Sequence, residues 1–320
     1  LITDSQLKLL ILIVVYILDV IILSFSVLSN IANTTVFLLL GLRDSFGITF
    51  FVLTLADLAY AVLFLTQILL RLAAYVGLSS RAPLVPVAYL ISSYGPMAFD
   101  ISTALTVFLA VQKCCCVTMP LKFRNAFTRS RTLVILSMIT CLALATNLPF
   151  LASQSLVANF DPITNSSSMV LWFSKDRRII TTVRDVGNRI VLPFASVLVV
   201  CFCLFVLIHN LNISVNFRNS FKPNNDHKVL RSENQVTRAV MSVSAIFVLC
   251  NAPVIARVIA SLVEPEFNDM RRHGYMFVAV ENLRHILQNL NCAMNIFSYL
   301  KFNTNYRARF ISLFCGGKNQ

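Results

Sequence analysis

The sequence predicts an all-α membrane protein, a seven-transmembrane helix bundle with a C-terminal amphipathic surface helix. Three observations lead there. Over 320 residues the chain is 57% hydrophobic and 13% charged, with mean hydropathy +0.74, whereas a soluble domain carries about a quarter charged residues. Apolar runs of about 20 residues, the length that crosses a bilayer core, recur along the chain. Near the end, an apolar helix closes on Asn295-Ile296-Phe297-Ser298-Tyr299, and a polar hinge leads into a second helix. There Tyr306, Phe310, Leu313 and Phe314 share one face beside Arg307 and Arg309. That face needs the bilayer edge, since so short a tail has nothing else to cover it. Backbone polar groups in lipid must be satisfied within each helix, so the spans form a bundle.

In chain order, residues 1–17 read as an extracellular N-terminal segment, 18–300 as the membrane bundle and 301–320 as the amphipathic helix with a short cytoplasmic tail. The spans are expected at 18–40, 48–70, 85–113, 133–151, 189–211, 236–262 and 275–300. The first apolar run begins earlier, near Leu9, and leaves room for an outer extension. Only the links 152–188 and 212–235 are long. No internal repeat is visible, which weakens transporter folds built from duplicated halves.

Charge orients the bundle with its N-terminus outside. The inner segments then hold Arg43, the group Lys113, Lys122, Arg124, Arg129 and Arg131, the group from Arg218 to Arg238, and Lys301, Arg307 and Arg309. The net charge of +13 therefore faces anionic lipid rather than nucleic acid. Asn165-Ser166-Ser167 is a glycosylation sequon on the outer side of this topology. Sequon matches at Asn33 and Asn212 fall in a span and in an inner segment. None of the nine cysteines lies in an outer segment, so no disulfide-stabilised exterior is expected. Cys114-Cys115-Cys116 has no His nearby and reads as small packing residues rather than a metal site. Cys315, just past the amphipathic face, is equally a palmitoylation site or a plain interfacial thiol.

Polar residues inside spans are costly and mark function or packing. Asp57 sits mid-span in Leu53-Thr54-Leu55-Ala56-Asp57-Leu58 and needs partners. The last span offers Glu281, Arg284, Gln288, Asn291 and Asn295 at helical spacing, so one face of it looks inward. Asp57, Ser102, Asn291 and Asn295 are all oxygen donors. They suit either inter-helix hydrogen bonding or a water-filled or hard-cation pocket. Towards the outer half lie Asp100, Asn251, Arg257, Glu281 and Arg284. These read as internal ion pairs, such as Glu281 with Arg284, or as a ligand cavity whose Arg groups hold a carboxylate or another acceptor.

The order and spacing of these features resemble rhodopsin-like G-protein-coupled receptors over all seven spans. The residues are Ser29-Asn30-Ile31-Ala32-Asn33 in the first span, Leu53 and Asp57 in the second, Met119-Pro120-Leu121 after the third and Pro193 in the fifth. Cys250-Asn251-Ala252-Pro253 and Asn295-Ile296-Phe297-Ser298-Tyr299 complete the set. Cys-Asn-x-Pro is similar to FMRFamide-type peptide receptors of invertebrates, and the whole resembles divergent chemosensory receptors of molluscs.

The resemblance implies a plasma-membrane receptor that binds an extracellular small molecule or short peptide and activates a heterotrimeric G protein. It places a sodium ion at Asp57, Ser102, Asn291 and Asn295, ligand at the outer cluster, and coupling at Gln112, Lys113, Cys114, Pro120, Leu121, Pro253 and Tyr299. Pro253 kinks the sixth span, and Tyr299, Lys113 and Cys201 would line the inner cavity that opens on activation. Two departures stand out. Gln112-Lys113-Cys114 replaces Asp/Glu-Arg-Tyr, so the charge survives without the planar guanidinium. The cysteine pair joining the third span to the following outer loop is absent, with Ala88 near the first position, which implies a less constrained loop. A neuropeptide receptor is the alternative. A transporter using Asp57, Asp100, Glu281 and Arg284 is the reading from another class. No nucleophile has a His and an acid at catalytic spacing, so no enzyme is expected.

Overall fold

The computed structural model describes residues 4–77, 83–161, 166–220, 227–264, 266–268 and 271–316. Helix α1 (Asp4–Ile11) runs through a π-helical stretch, Leu12–Leu18, into α2 (Asp19–Leu40). The first span thus begins well before residue 18, because the apolar run from Leu9 continues the helix instead of forming a separate segment. Gly41 ends α2 at φ 82°, a left-handed cap that a Cβ would strain. Asp44 opens α3 (Ser45–Tyr75) by accepting the Gly47 N–H at 2.8 Å. The inner turn between them is therefore fixed by two caps.

Helix α4 (Leu84–Thr118) crosses the middle of the bundle and packs against α3 and three later helices. A Cβ on Gly95 would collide with the Phe64 ring, so that glycine sets how closely α3 and α4 approach. Pro120 starts the short α5 (Pro120–Ala126), where its missing N–H costs nothing. Next come α6 (Arg129–Ala152) and a hairpin of β1 (Gln154–Asp161) with β2 (Ser166–Phe173), Gln154 facing Phe173 and Asp161 facing Ser166. The hairpin was not expected from the sequence. The first strand ends at Asp161 and the second begins at Ser166; Asn165, the expected glycosylation site, lies outside the described residues.

Helix α7 (Arg177–Arg184) leads through a π-helical stretch, Asp185–Val191, into α8 (Leu192–Ser220). Pro193 explains the stretch, since it cannot donate to the carbonyl four residues back and its ring displaces it. The fifth span therefore starts near Arg177 rather than residue 189. Helices α9 (His227–Val263), α10 (Gly274–Phe302) and α11 (Thr304–Phe314) complete the chain. The Asn303 side chain caps α11 through the Tyr306 N–H at 3.0 Å.

The helices close into a ring in which α2 touches α3 and α10, α10 touches α9, α9 touches α8, and α4 fills the centre against α3, α6, α8 and α9. One core cluster joins Phe37, Phe50, Leu53, Leu105, Val240 and Tyr299 in the half near α11. Another joins Leu23, Tyr60, Ala98, Phe99 and Cys292. Large apolar residues also point outward from most helices, among them Leu28, Phe205 and Leu249, each about 70% exposed. A soluble surface does not carry so wide an apolar belt, but a lipid-facing one requires it. Among the described residues six helices are long and apolar enough to cross a membrane, so the protein is an all-α, multi-pass membrane protein. The seventh expected span is the 29-residue α10, whose polar face lowers its average apolarity below that of the six.

Candidate functional site

Asp57, on α3, is fully buried where α3, α4 and α10 meet. Its two oxygens accept from the Ser102 hydroxyl at 2.5 Å and the Asn295 amide at 2.8 Å. The Cys292 thiol also donates to it. Two of the three residues expected around the carboxylate, Ser102 and Asn295, thus contact it, and Cys292 rather than Asn291 supplies the third donor. Asn291 is buried one turn away from Asn295. These residues are oxygen-bearing as a hard cation requires. In this packing, however, Ser102 and Asn295 turn donors on the carboxylate, so protein groups alone close the polar core and a cation would have to displace them.

A second buried acid escaped the sequence reading. Asp19, at the start of α2, accepts from the Asn289 amide at 2.7 Å, and Asn289 in turn accepts from the Tyr60 hydroxyl at 2.8 Å. Asn30 adds a bond to the Cys292 carbonyl at 3.0 Å. Helices α2, α3 and α10 are therefore tied by two polar nodes less than two turns apart along α10, and among the described residues no salt bridge forms at either. The signal was available in Asp19, an acid between Leu18 and Val20 that fell on the expected end of the span.

Outward of Tyr60 a cavity of about 110 Å³ opens. Asp100, Arg257, Glu281 and Arg284 line it, so four of the five residues expected at a ligand site converge there. Asn251 is not in the lining; it is buried and donates back to the Phe247 carbonyl at 2.9 Å. Glu281 bridges two guanidinium groups, Arg284 at 2.5 Å on its own helix and Arg257 at 3.2 Å on α9. The internal ion pair of Glu281 with Arg284 is thus formed, and it stands in the wall of the cavity. Arg284 also donates to Gln288 at 2.6 Å and reaches His285 Nε2 at 3.0 Å. Asp100 accepts from Asn147 at 3.0 Å and Asn188 at 2.9 Å. Asn188 and Arg189, in the π-helical stretch before Pro193, belong to the lining and were not singled out from sequence.

Above this cavity Arg177 fastens the hairpin. Its guanidinium donates to the Tyr89 hydroxyl at 3.0 Å and the Ser153 hydroxyl at 3.3 Å, and it lies over the Phe150 and Phe173 rings at 4.8 and 4.3 Å. Arg184 covers the same Phe150 ring at 3.8 Å. All nine cysteines are free thiols.

At the opposite end, Gln112 is buried and accepts from Thr49 at 3.1 Å. Lys113, also buried, lies 5.2 Å from the Phe46 ring centre. Cys114 hydrogen-bonds with Cys203 of α8. Leu121 is 89% exposed and Pro120 is exposed beside it. Tyr299 is fully buried against Phe37 and Phe50, with its hydroxyl unpartnered. In this packing it belongs to the core, and Cys201 is on the exposed side of α8. Pro253 lies within an unbroken α9. Tyr306 anchors α11 by donating to Asn33 at 2.5 Å. Burial pushes its ionisation up, so the phenol stays a neutral donor. Next to this anchor a cavity of about 280 Å³ opens between Asp44, Phe46, Gln235, Val236 and Asn303. Cys315 is exposed just beyond α11.

No family model matches the chain, and no curated protein matches it in sequence.

Proposed function

We propose that the protein is a rhodopsin-like receptor of the plasma membrane, with seven spans, its N-terminus outside and α11 lying on the inner bilayer surface. It converts binding in the outer cavity into opening of the inner face for a heterotrimeric G protein. One observation carries this reading. A charged outer cavity and two buried acids without an ion-pair partner lie in sequence along α10, an inner cavity opens just past its end at Asn303, and the polar contacts of α10 along this line reach α2, α3 and α9. A buried acid held only by neutral donors is sensitive to small shifts of the helix that carries those donors. Glu281 couples α10 to α9 through Arg257, and Pro253 weakens α9 one turn below. Ligand that binds one arrangement of α9 and α10 better than another shifts the population by its differential affinity. Exposed Leu121 supplies an apolar contact for the G protein, and the motif order of the seven spans supports the same reading.

The test is agonist-stimulated nucleotide exchange by a panel of heterotrimeric G proteins on membranes carrying the full chain, with Lys113→Arg in parallel. Exchange is expected from the natural chain, and Lys113→Arg is expected to raise it by restoring the multi-donor guanidinium. Ion flux through liposomes holding the purified protein alone, with no exchange on any G protein, would overturn the proposal in favour of a transporter.

A further inference from the structure

We propose that the outer cavity takes a small carboxylate, gripped by the two terminal guanidinium nitrogens of Arg257; the receptor reading enters only in placing this cavity on the ligand's side of the membrane. Three guanidinium groups, of Arg189, Arg257 and Arg284, line the cavity against two carboxylates, of Asp100 and Glu281. Both carboxylates are already engaged, Asp100 by two amides and Glu281 by two arginines. Arg284 is spent on Glu281, Gln288 and His285, and Arg189 is half exposed and paired with Asp185 at 2.9 Å. Arg257 differs. Its Nε faces Glu281 and its plane lies 5.4 Å from the Phe277 ring centre, while no described residue accepts from its terminal nitrogens.

The terminal nitrogens of Arg257 therefore have no acceptor among the described residues, so the ligand brings the acceptor that they take. Two parallel N–H groups on a planar fork match the two oxygens of a carboxylate. The adjacent walls, from Phe64, Phe99, Leu192 and Val254, are apolar and suit a short aliphatic chain. At about 110 Å³ the cavity suits a small ligand, and a larger one would extend beyond it. The carboxylate can come from a free short-chain acid or from the C-terminus of a peptide whose remainder lies above the cavity.

Thermal unfolding of the purified full chain in detergent separates these sources and does not depend on signalling. Butyrate and butyramide form one pair of probes, and tri-alanine and its C-terminal amide the other. A saturable rise in Tm is expected with an acid and not with its amide, with butyrate assigning the free acid and tri-alanine alone assigning the peptide terminus. Arg257→Met is expected to weaken the acid's apparent affinity by roughly 10- to 100-fold, the loss of one or two charge-assisted hydrogen bonds. Arg257→Lys, which keeps the charge without the fork, is expected to fall between. Both variants leave Glu281 paired with Arg284, and their Tm without ligand reports whether the fold is kept. Equal shifts from acid and amide, no saturable shift from either acid, or unchanged affinity in Arg257→Met would each overturn the proposal. Binding retained without nucleotide exchange would instead remove the receptor reading and leave the carboxylate site standing.

Discussion

Asp57 and its donors behave as one unit. A carboxylate without a cationic neighbour depends on hydrogen bonds from Ser102, Asn295 and Cys292, and in an apolar bundle each is worth more than on a surface. Ser102→Ala removes one donor and leaves a charged oxygen unpaired, so it should lower stability by about 1–3 kcal/mol. Asp57→Asn keeps the shape but removes the charge that needs those donors, so it should destabilise less than Ser102→Ala. Thermal unfolding of the two variants in the same detergent decides the order, and the reverse order would mean that Asp57 is held neutral. The sequence made Asp57, Ser102 and Asn295 legible because an acid in mid-span stands against its neighbours and helical spacing aligns its partners. Cys292 was missed because a thiol reads as apolar packing. Asn251 was assigned to the cavity because helical spacing fixes a face but not a depth, and one turn separates it from the lining.

The elements show a different limit. Long apolar runs located the six helices that are apolar enough to cross, although the first and fifth begin earlier than expected, and caps such as Asp44 and Asn303 sit where the residue types suggest. The hairpin is poorly legible because its second strand, Ser166–Phe173, ends in an unbroken apolar run, and only the pairing over eight residues shows that Leu156 and Leu171 share the half-buried face. Arg177, which reads as one more outer charge, does the tethering from the start of α7. Two hydrogen bonds and two ring contacts join it to α4, α6 and β2. Cation–π contacts contribute about 0.5–1 kcal/mol each. Arg177→Ala should therefore raise amide hydrogen exchange in β1 and β2 by roughly 5- to 30-fold, the equivalent of about 1–2 kcal/mol of local stability. Exchange in α2 and α3 should not change. Unchanged exchange in the hairpin would mean that strand pairing alone holds it.

At the scale of the whole molecule the number of crossings fixes which side each terminus faces. Six helices cross by average apolarity, and α10 falls short because Glu281, Arg284, His285, Gln288, Asn289, Asn291 and Asn295 dilute it. An average over a window ignores which face those residues occupy. Gln288, Asn289, Asn291 and Asn295 are buried, bonded to or packed against α2, α3 and α9, whereas Leu283 and Phe297 point outward, each about half exposed. At about 1.5 Å per residue, the 29 residues of α10 exceed the roughly 30 Å hydrocarbon core. A helix that buries its polar face in protein and shows lipid its apolar one can span despite its composition. Seven crossings put the two termini on opposite sides of the membrane, and six put them on the same side. Epitope tags before Leu1 and after Gln320 should therefore differ in intact cells, with the first stained directly and the second only after permeabilisation. Tags that stain alike would mean that α10 does not cross, and the inward-facing roles of Asn289 and Asn295 would then have to be met in a six-helix bundle.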